Sequence, residues 1–384
     1  MLKLSSIFRG TRTSFLFAWR YFKEKKSTNA INIIAWISIV AMVIGTAVLI
    51  LVLSVFNGFE GLVKSLYSSF YTDLKISSAS GKVINIIPEQ LQKIKSIKDV
   101  RNFSLVTEEK ALLQNGEYQS VVYLKGVDEN YRYVTGVADP DHMVNGEFAL
   151  GTKESPSLVL GAGIENALGV QSDRNLFPLV VYLPRKGETD LLDPLKSISS
   201  DTITTSGTFV IQQDFDNKYA ITNIDFMKLM LGMGTNEYNG VEIALYESDK
   251  AEEVQATLKE IFNKNYLVQT RYEQNQSLYS VMRAEKWVIY AVLCLILVVA
   301  AFNMIGALTM LVLEKEKDIS VLHALGGNKY FIQKIFLSEG VLLAIIGGGL
   351  GMLLAFLVGL IQINFKLIPL QGGSFLIDYF PVKL

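Results

Sequence analysis

Apolar positions along this chain fall into long uninterrupted runs and short periodic ones. The long runs are Ile31 to Phe56 (INIIAWISIVAMVIGTAVLILVLSVF), Trp287 to Leu313 (WVIYAVLCLILVVAAFNMIGALTMLVL) and Gly340 to Ile363 (GVLLAIIGGGLGMLLAFLVGLIQI), and none contains a charged side chain. Crossing a hydrocarbon core of about 30 Å takes roughly 20 apolar residues at a rise of about 1.5 Å, so each run predicts a membrane-spanning helix. A core helix of a soluble protein rarely stays uncharged on every face over such a length. The predicted division is an N-terminal segment (1–30), a first span (31–56), a large inserted domain (57–286), a second span (287–313), a loop (314–336), a third span (337–363) and a tail (364–384).

The short patterns lie in the inserted domain. Strand-length apolar stretches recur at Val121 to Val127 (VVYLKGV), Leu158 to Leu160, Leu179 to Leu183, Thr208 to Gln212 and Val241 to Tyr246, separated by Gly, Pro, Asn and Asp turn signals. Helical spacing appears in Pro88 to Ile97, with Leu91, Ile94 and Ile97 three apart. It appears again in Asp249 to Phe262, with an Asp cap and Val254, Leu258 and Ile261 on one face. Gly161-Ala162-Gly163 reads as a strand-to-helix turn, since it lacks the third glycine of a dinucleotide fingerprint. The fold expected is an α+β membrane protein whose inserted α+β domain packs helices on one side of its sheets.

Composition agrees: 50% of residues are hydrophobic and the mean hydropathy is +0.31. A net charge of −1 without a basic domain gives no electrostatic reason for a nucleic-acid partner. Cys294, the single cysteine, falls inside the second span, so the inserted domain has no disulfide. Orientation follows from the cations Lys3, Arg9, Arg12, Arg20, Lys23, Lys25 and Lys26 ahead of the first span, against Glu24 alone. This bias places the N-terminus in the cytoplasm, the inserted domain outside, the 314–336 loop inside and the tail outside. The first run is too long for a signal peptide and reads as an uncleaved anchor. Phe15, Trp19 and Phe22, with Arg20 and Lys23 beside them, describe an interfacial helix on the inner leaflet. The ending FPVKL suggests a chain that stops before a fourth span, which is expected beyond the C-terminus.

Catalytic patterns are missing from the sequence. There is no G-x-x-x-x-G-K-[ST] to cradle nucleotide phosphates, so any ATP and magnesium belong to a partner subunit and no cofactor is expected on this chain. There is no G-x-S-x-G elbow, and the two histidines, His142 and His323, fall on opposite sides of the membrane, so no metal ligands cluster. No mid-span charge marks an ion path. Two membrane features are positive. Gly347, Gly351, Ala355 and Gly359 recur every fourth residue, a smooth face against which another helix can pack. The inner loop EKEKDISVLHALGGNKYFIQKIF places Ile319, Leu322 and Leu325 three apart before a Gly326-Gly327 stop, an amphipathic helix just below the membrane. Acids beside its lysines suit a protein groove better than a bed of anionic lipid.

Arg20-Tyr21 with Lys25-Lys26, followed by INIIAWISIVAMVIGTAVLILVLSVFNGFE, resembles the first span of the permease subunits of lipoprotein-releasing ABC transporters, the LolC/LolE family. AAFNMIGALTMLVLEKEKD and KDISVLHALGG resemble that family's second span and the loop after it, and SLVLGAGIENALGV and IPL…YFPVKL extend the likeness along the chain. The loop motif is shared with the wider FtsX/MacB-like permease superfamily. The resemblance implies an inner-membrane permease that pairs with a second copy or a paralogue and binds a cytoplasmic ABC ATPase. It further implies transfer of lipoproteins to a periplasmic carrier through a MacB-like periplasmic domain. Lys317, Asp318, Ile319, Leu322, Leu325 and Gly326 would then form the coupling helix on the ATPase. Val48, Leu51, Val52 and Val55, with Asn57, Gly58 and Phe59 at the outer end of the first span, would receive the lipoprotein. His323 stands where the family usually has Arg or Lys, which leaves open a charge contact to the ATPase. The alternatives are a mechanotransmission permease of the same superfamily, driving efflux or a cell-wall hydrolase, and a membrane receptor with no ATPase.

Overall fold

A computed structural model describes residues 29–174, 178–185, 197–325, 328–370 and 379–383. The expected interfacial helix with Phe15, Trp19 and Phe22, and the glycine stop at Gly326, lie outside the described residues. The chain forms two compact units, one drawn from Met1–Glu60, Val281–Pro369 and Tyr379–Leu384, the other from Gly61–Ser280 and Leu370–Asp378.

Three helices long and apolar enough to cross a membrane are present among the described residues. They span Asn29–Phe70, Gln276–Glu314 and Lys329–Phe365, with a short helix, Glu316–Ala324, between the last two. Each long helix outruns its predicted span. The first, of 42 residues, is about 63 Å long at about 1.5 Å per residue, twice the hydrocarbon thickness. Asn57-Gly58, expected to open the inserted domain, is therefore mid-helix. Hydropathy marks where lipid ends, whereas the helix continues because Leu62, Leu66 and Phe70 keep the four-residue spacing, and Leu66 and Phe70 are buried. Likewise Gln276 to Lys286 is helical ahead of the second apolar run. In the membrane unit Ile39, Met42 and Val43 of the first helix, Leu308 of the second and Leu343 of the third form one apolar cluster.

The second unit is built on a ten-stranded sheet. Its strands are β1 (Leu74–Ser78), β3 (Val100–Asn115), β4 (Tyr118–Val127), β5 (Met143–Gly146), β6 (Ser157–Gly161), β7 (Leu179–Pro184), β8 (Ile198–Phe209), β9 (Tyr219–Asn223), β11 (Gly240–Leu245) and β12 (Tyr266–Thr270). Two-residue strands β2 (Ile84–Asn85) and β10 (Glu237–Tyr238) pair separately. The main order is β12-β1-β11-β3-β4-β9-β6-β8-β5, and β7 bonds to both β3 and β8. That last pairing closes β3, β4, β9, β6, β8 and β7 into a ring, which leaves those strands no free edge. Leu113, Leu124, Leu160, Val181 and Ile203 share one core with Phe226 and Met227 of the helix Ile224–Leu231. β3, at 16 residues, is long enough to serve the ring and an antiparallel extension, pairing with β11 near its start and with β4 and β7 further on. The extension β12-β1-β11 shares a second core with Ile94 of the helix Pro88–Ser96 and with Val254 and Leu258 of the helix Ala251–Ile261.

Two local expectations are corrected. Thr208 to Gln212 is strand only as far as Phe209, where β8 ends, because the Asp216 carboxylate accepts the Ile211 and Gln212 N–H groups at 2.9 and 3.3 Å and turns the chain into a short helix, Gln213–Asp216. Asp249 does not cap the following helix. It sits in a 3₁₀ turn, Ser248–Lys250, and the α-helix starts at Ala251 with Lys250 at the cap position.

Candidate coupling surface and helix-packing sites

The short helix Glu316–Ala324 is held at the ends of two long apolar helices, and its faces divide by helical angle. Ile319 and Leu325 are six residues apart, so at about 100° per residue they lie about 120° apart around the axis. Ile319 and Leu322 are accordingly half-buried, while Leu325 is 79% exposed. Val321, about 40° from Leu325, is 59% exposed, and Lys317 lies on the same outward side. Asp318 is paired with Lys315 at 3.3 Å. The outward face is thus Lys317, Val321 and Leu325. The three-residue spacing of the apolar positions hid Val321, and its four-residue spacing to Leu325 was the available signal.

Gly347, Gly351, Ala355 and Gly359 are all buried on the third long helix. A Cβ on Gly347 would meet Met42 Cβ at 2.8 Å, and one on Gly351 would meet the Val43 carbonyl oxygen at 2.6 Å and Thr46 Cβ at 2.7 Å. The helix that approaches this small-residue face is therefore the first helix of the same chain. One turn further on, Gln362 is buried. Its amide donates to the carbonyls of Ile368 and Phe380 and accepts from Ile368 N–H, fixing the returning segment at 379–383. Lys383 N–H in turn bonds the Ser54 carbonyl of the first helix at 3.0 Å.

The residues expected to receive a lipoprotein separate. Val48, Leu51, Val52, Val55 and Phe59 fall on one side of the first helix, and Val48 and Val52 are each 43% exposed. Gly58, about 80° around, is buried, and a Cβ there would collide with the Pro381 carbonyl oxygen. The returning segment covers that position. Asn57 is exposed. In the same unit Lys286 reaches Glu60 at 3.3 Å, linking the first and second long helices.

The inserted domain carries one buried ionic group that the strand pattern did not predict. Lys125 Nζ lies 2.8 and 2.9 Å from the two Glu242 carboxylate oxygens, with Lys75 at 3.5 Å from Glu242. The Lys125 ammonium also lies 4.9 Å from the Tyr131 ring centroid and 5.1 Å from that of Phe70. Burial pushes the Glu242 carboxyl up, but Lys125 and Lys75 together outweigh it and hold it below the ordinary value. Burial pushes the Tyr131 hydroxyl well up. A lysine within the apolar run VVYLKGV was the visible trace of this group. Among the described residues no three His, Cys, Asp or Glu side chains are placed to hold a metal ion.

Residues 290–381 match the family model FtsX-like permease C-terminal. The chain is similar to the lipoprotein-releasing system transmembrane protein LolE of Haemophilus influenzae, 26% identical over 97% of this chain and 90% of that protein. It is also similar to LolC of Xylella fastidiosa, 27% identical over 85% of this chain and 77% of that protein. Among solved structures, the periplasmic region of MacB from Actinobacillus actinomycetemcomitans aligns with 57% of this chain and 98% of that chain, at 13% identity and a TM-score of 0.38. With three membrane-length helices among its described residues, a match to the FtsX-like permease C-terminal model over residues 290–381 and likeness to LolE and LolC over most of its length, the chain is a multi-pass membrane protein with an FtsX-like C-terminal region.

Proposed function

We propose that the chain is a permease subunit of an ABC transporter that extracts lipoproteins from the inner membrane and hands them to a periplasmic carrier. ATP is hydrolysed by a separate cytoplasmic subunit, and the chain itself is not an enzyme. The observation that carries the mechanical part is the outward face Lys317, Val321 and Leu325 on a short helix joined at both ends to long apolar helices. Exposed Val and Leu on a helix beside the membrane suit a groove in a soluble partner, and the sequence has no P-loop of its own. The cargo is inferred from the relatives' names. The Lys and Arg bias supports a cytoplasmic N-terminus and short helix and a periplasmic inserted domain. A second copy or a paralogue completes the transporter. On this reading the stripe Val48, Val52 and Val55 meets acyl chains, because uncharged aliphatic side chains accept them without desolvating a polar group.

Two measurements separate the parts. Depletion followed by membrane fractionation reads the cargo: lipoproteins accumulate in the inner membrane, and normal delivery to the outer membrane refutes lipoprotein release. Copurification in detergent reads the partner: Val321→Asp or Leu325→Asp, both at exposed positions, releases the ATPase, and undiminished copurification refutes the coupling role.

A further inference from the structure

A cavity of about 460 Å³ lies behind the short helix, on the side away from Val321 and Leu325. Its lining combines apolar and polar side chains. Leu308, Val312 and Phe336, from the ends of two membrane helices, make it apolar, while His323, Lys329 and Gln333 line it where the helices give way to the loop. No carboxylate lines it. Of the acids on the neighbouring helix, Asp318 is paired with Lys315 and Glu316 is exposed.

We propose that this cavity is a binding site for a single phospholipid with an anionic headgroup. The volume falls within the range of about 300–1,000 Å³ typical of small-molecule sites. The apolar end takes acyl methylenes. At the polar end the Lys329 ammonium faces the phosphate, and His323 and Gln333 supply N–H donors. Basic pockets between membrane helices at the membrane surface suit acidic lipid heads for this reason. A zwitterionic lipid would fill the same apolar volume but bring a choline cation beside Lys329, so charge complementarity selects the anionic headgroup. The inference stands on membrane placement alone and does not depend on the ATPase or on lipoprotein cargo.

The test is native mass spectrometry of the full chain in detergent, titrated with phosphatidylglycerol or with phosphatidylcholine of the same acyl chains. The native chain retains one phosphatidylglycerol at concentrations where phosphatidylcholine is lost. Lys329→Gln, at an exposed position, weakens phosphatidylglycerol retention by about fivefold, the worth of one cation near a lipid headgroup, and leaves phosphatidylcholine unchanged. Val312→Trp places an indole in the apolar end and abolishes selective retention. Equal retention of the two lipids by the native chain, or no change in Lys329→Gln, overturns the proposal. So does a chain that retains neither lipid, as expected if a partner's side chain occupies the cavity.

Discussion

Replacing Gly351 with alanine or leucine should push the first and third long helices apart. A Cβ at this position would lie 2.6 Å from the Val43 carbonyl oxygen and 2.7 Å from Thr46 Cβ. Ordinary carbon contacts begin near 3.5 Å, so the Thr46 contact alone requires the helices to separate by about 0.8 Å. Both obstacles are fixed to the first helix's backbone, so no flexible side-chain end can swing away. Overpacking of this kind costs about 1–3 kcal/mol for one added carbon, and leucine should exceed that. Gly349, two residues away, has nothing within 4 Å of its would-be Cβ. Gly349→Leu therefore adds the same side chain where it faces open space. The assay is thermal unfolding of the whole chain in one detergent, followed by loss of the monodisperse peak on size exclusion. Gly351→Ala should lower the midpoint by a few degrees and Gly351→Leu by more, with Gly349→Leu close to the native chain. Equal midpoints for Gly351→Leu and the native chain, or equal damage from Gly349→Leu, would refute the packing argument.

Lys125→Met leaves the buried Glu242 carboxylate with only Lys75 at 3.5 Å and should cost about 3–5 kcal/mol; denaturant unfolding checks this, and Lys125→Met with Glu242→Leu should recover much of the loss. Burial raises the Asp216 carboxyl to about 6, with the Ile211 and Gln212 N–H donors and His142 opposing the rise. The folded value thus exceeds the ordinary unfolded one near 3.9, so the native state binds the extra proton. This contribution is full below about pH 4 and fades as pH rises to about 6, by at most about 1.4 kcal/mol per pH unit. Asp216→Asn should gain on the native chain as unfolding is measured from pH 4 to pH 6.5, and a pH-independent difference would count against the assignment. Gln362→Leu removes three hydrogen bonds to Ile368 and Phe380. Faster amide hydrogen exchange at Phe380 and Lys383 should follow, with unchanged exchange in the helix Ala251–Ile261.

The three membrane-length helices among the described residues, the α+β character of the inserted domain and the small-residue face of the third helix were all legible in the sequence. Each depends on local composition or on a period of two, three or four residues. The ends of the helices were not legible, because leaving lipid and leaving a helix are different events, and Leu62, Leu66 and Phe70 continue one after the other has ended. Pairings distant in sequence were equally hidden. Nothing in LVVYL announces that β7 bonds both β3 and β8 and closes a ring. Nothing around Lys125 identifies Glu242, 117 positions away, as its counter-ion.

By itself the sequence determined which stretches are long and apolar enough to cross a membrane and which helix carries a small-residue face, since these follow from hydrophobic length and a four-residue period. Only the tertiary structure decided which faces of those stretches are free. It turned Val321 and Leu325 outward while folding Ile319 inward, covered Gly58 with Pro381, and set Gly347 and Gly351 against Met42 and Val43. Such choices depend on which helices and segments come to lie side by side, and packing between distant parts of a chain leaves no period in its sequence.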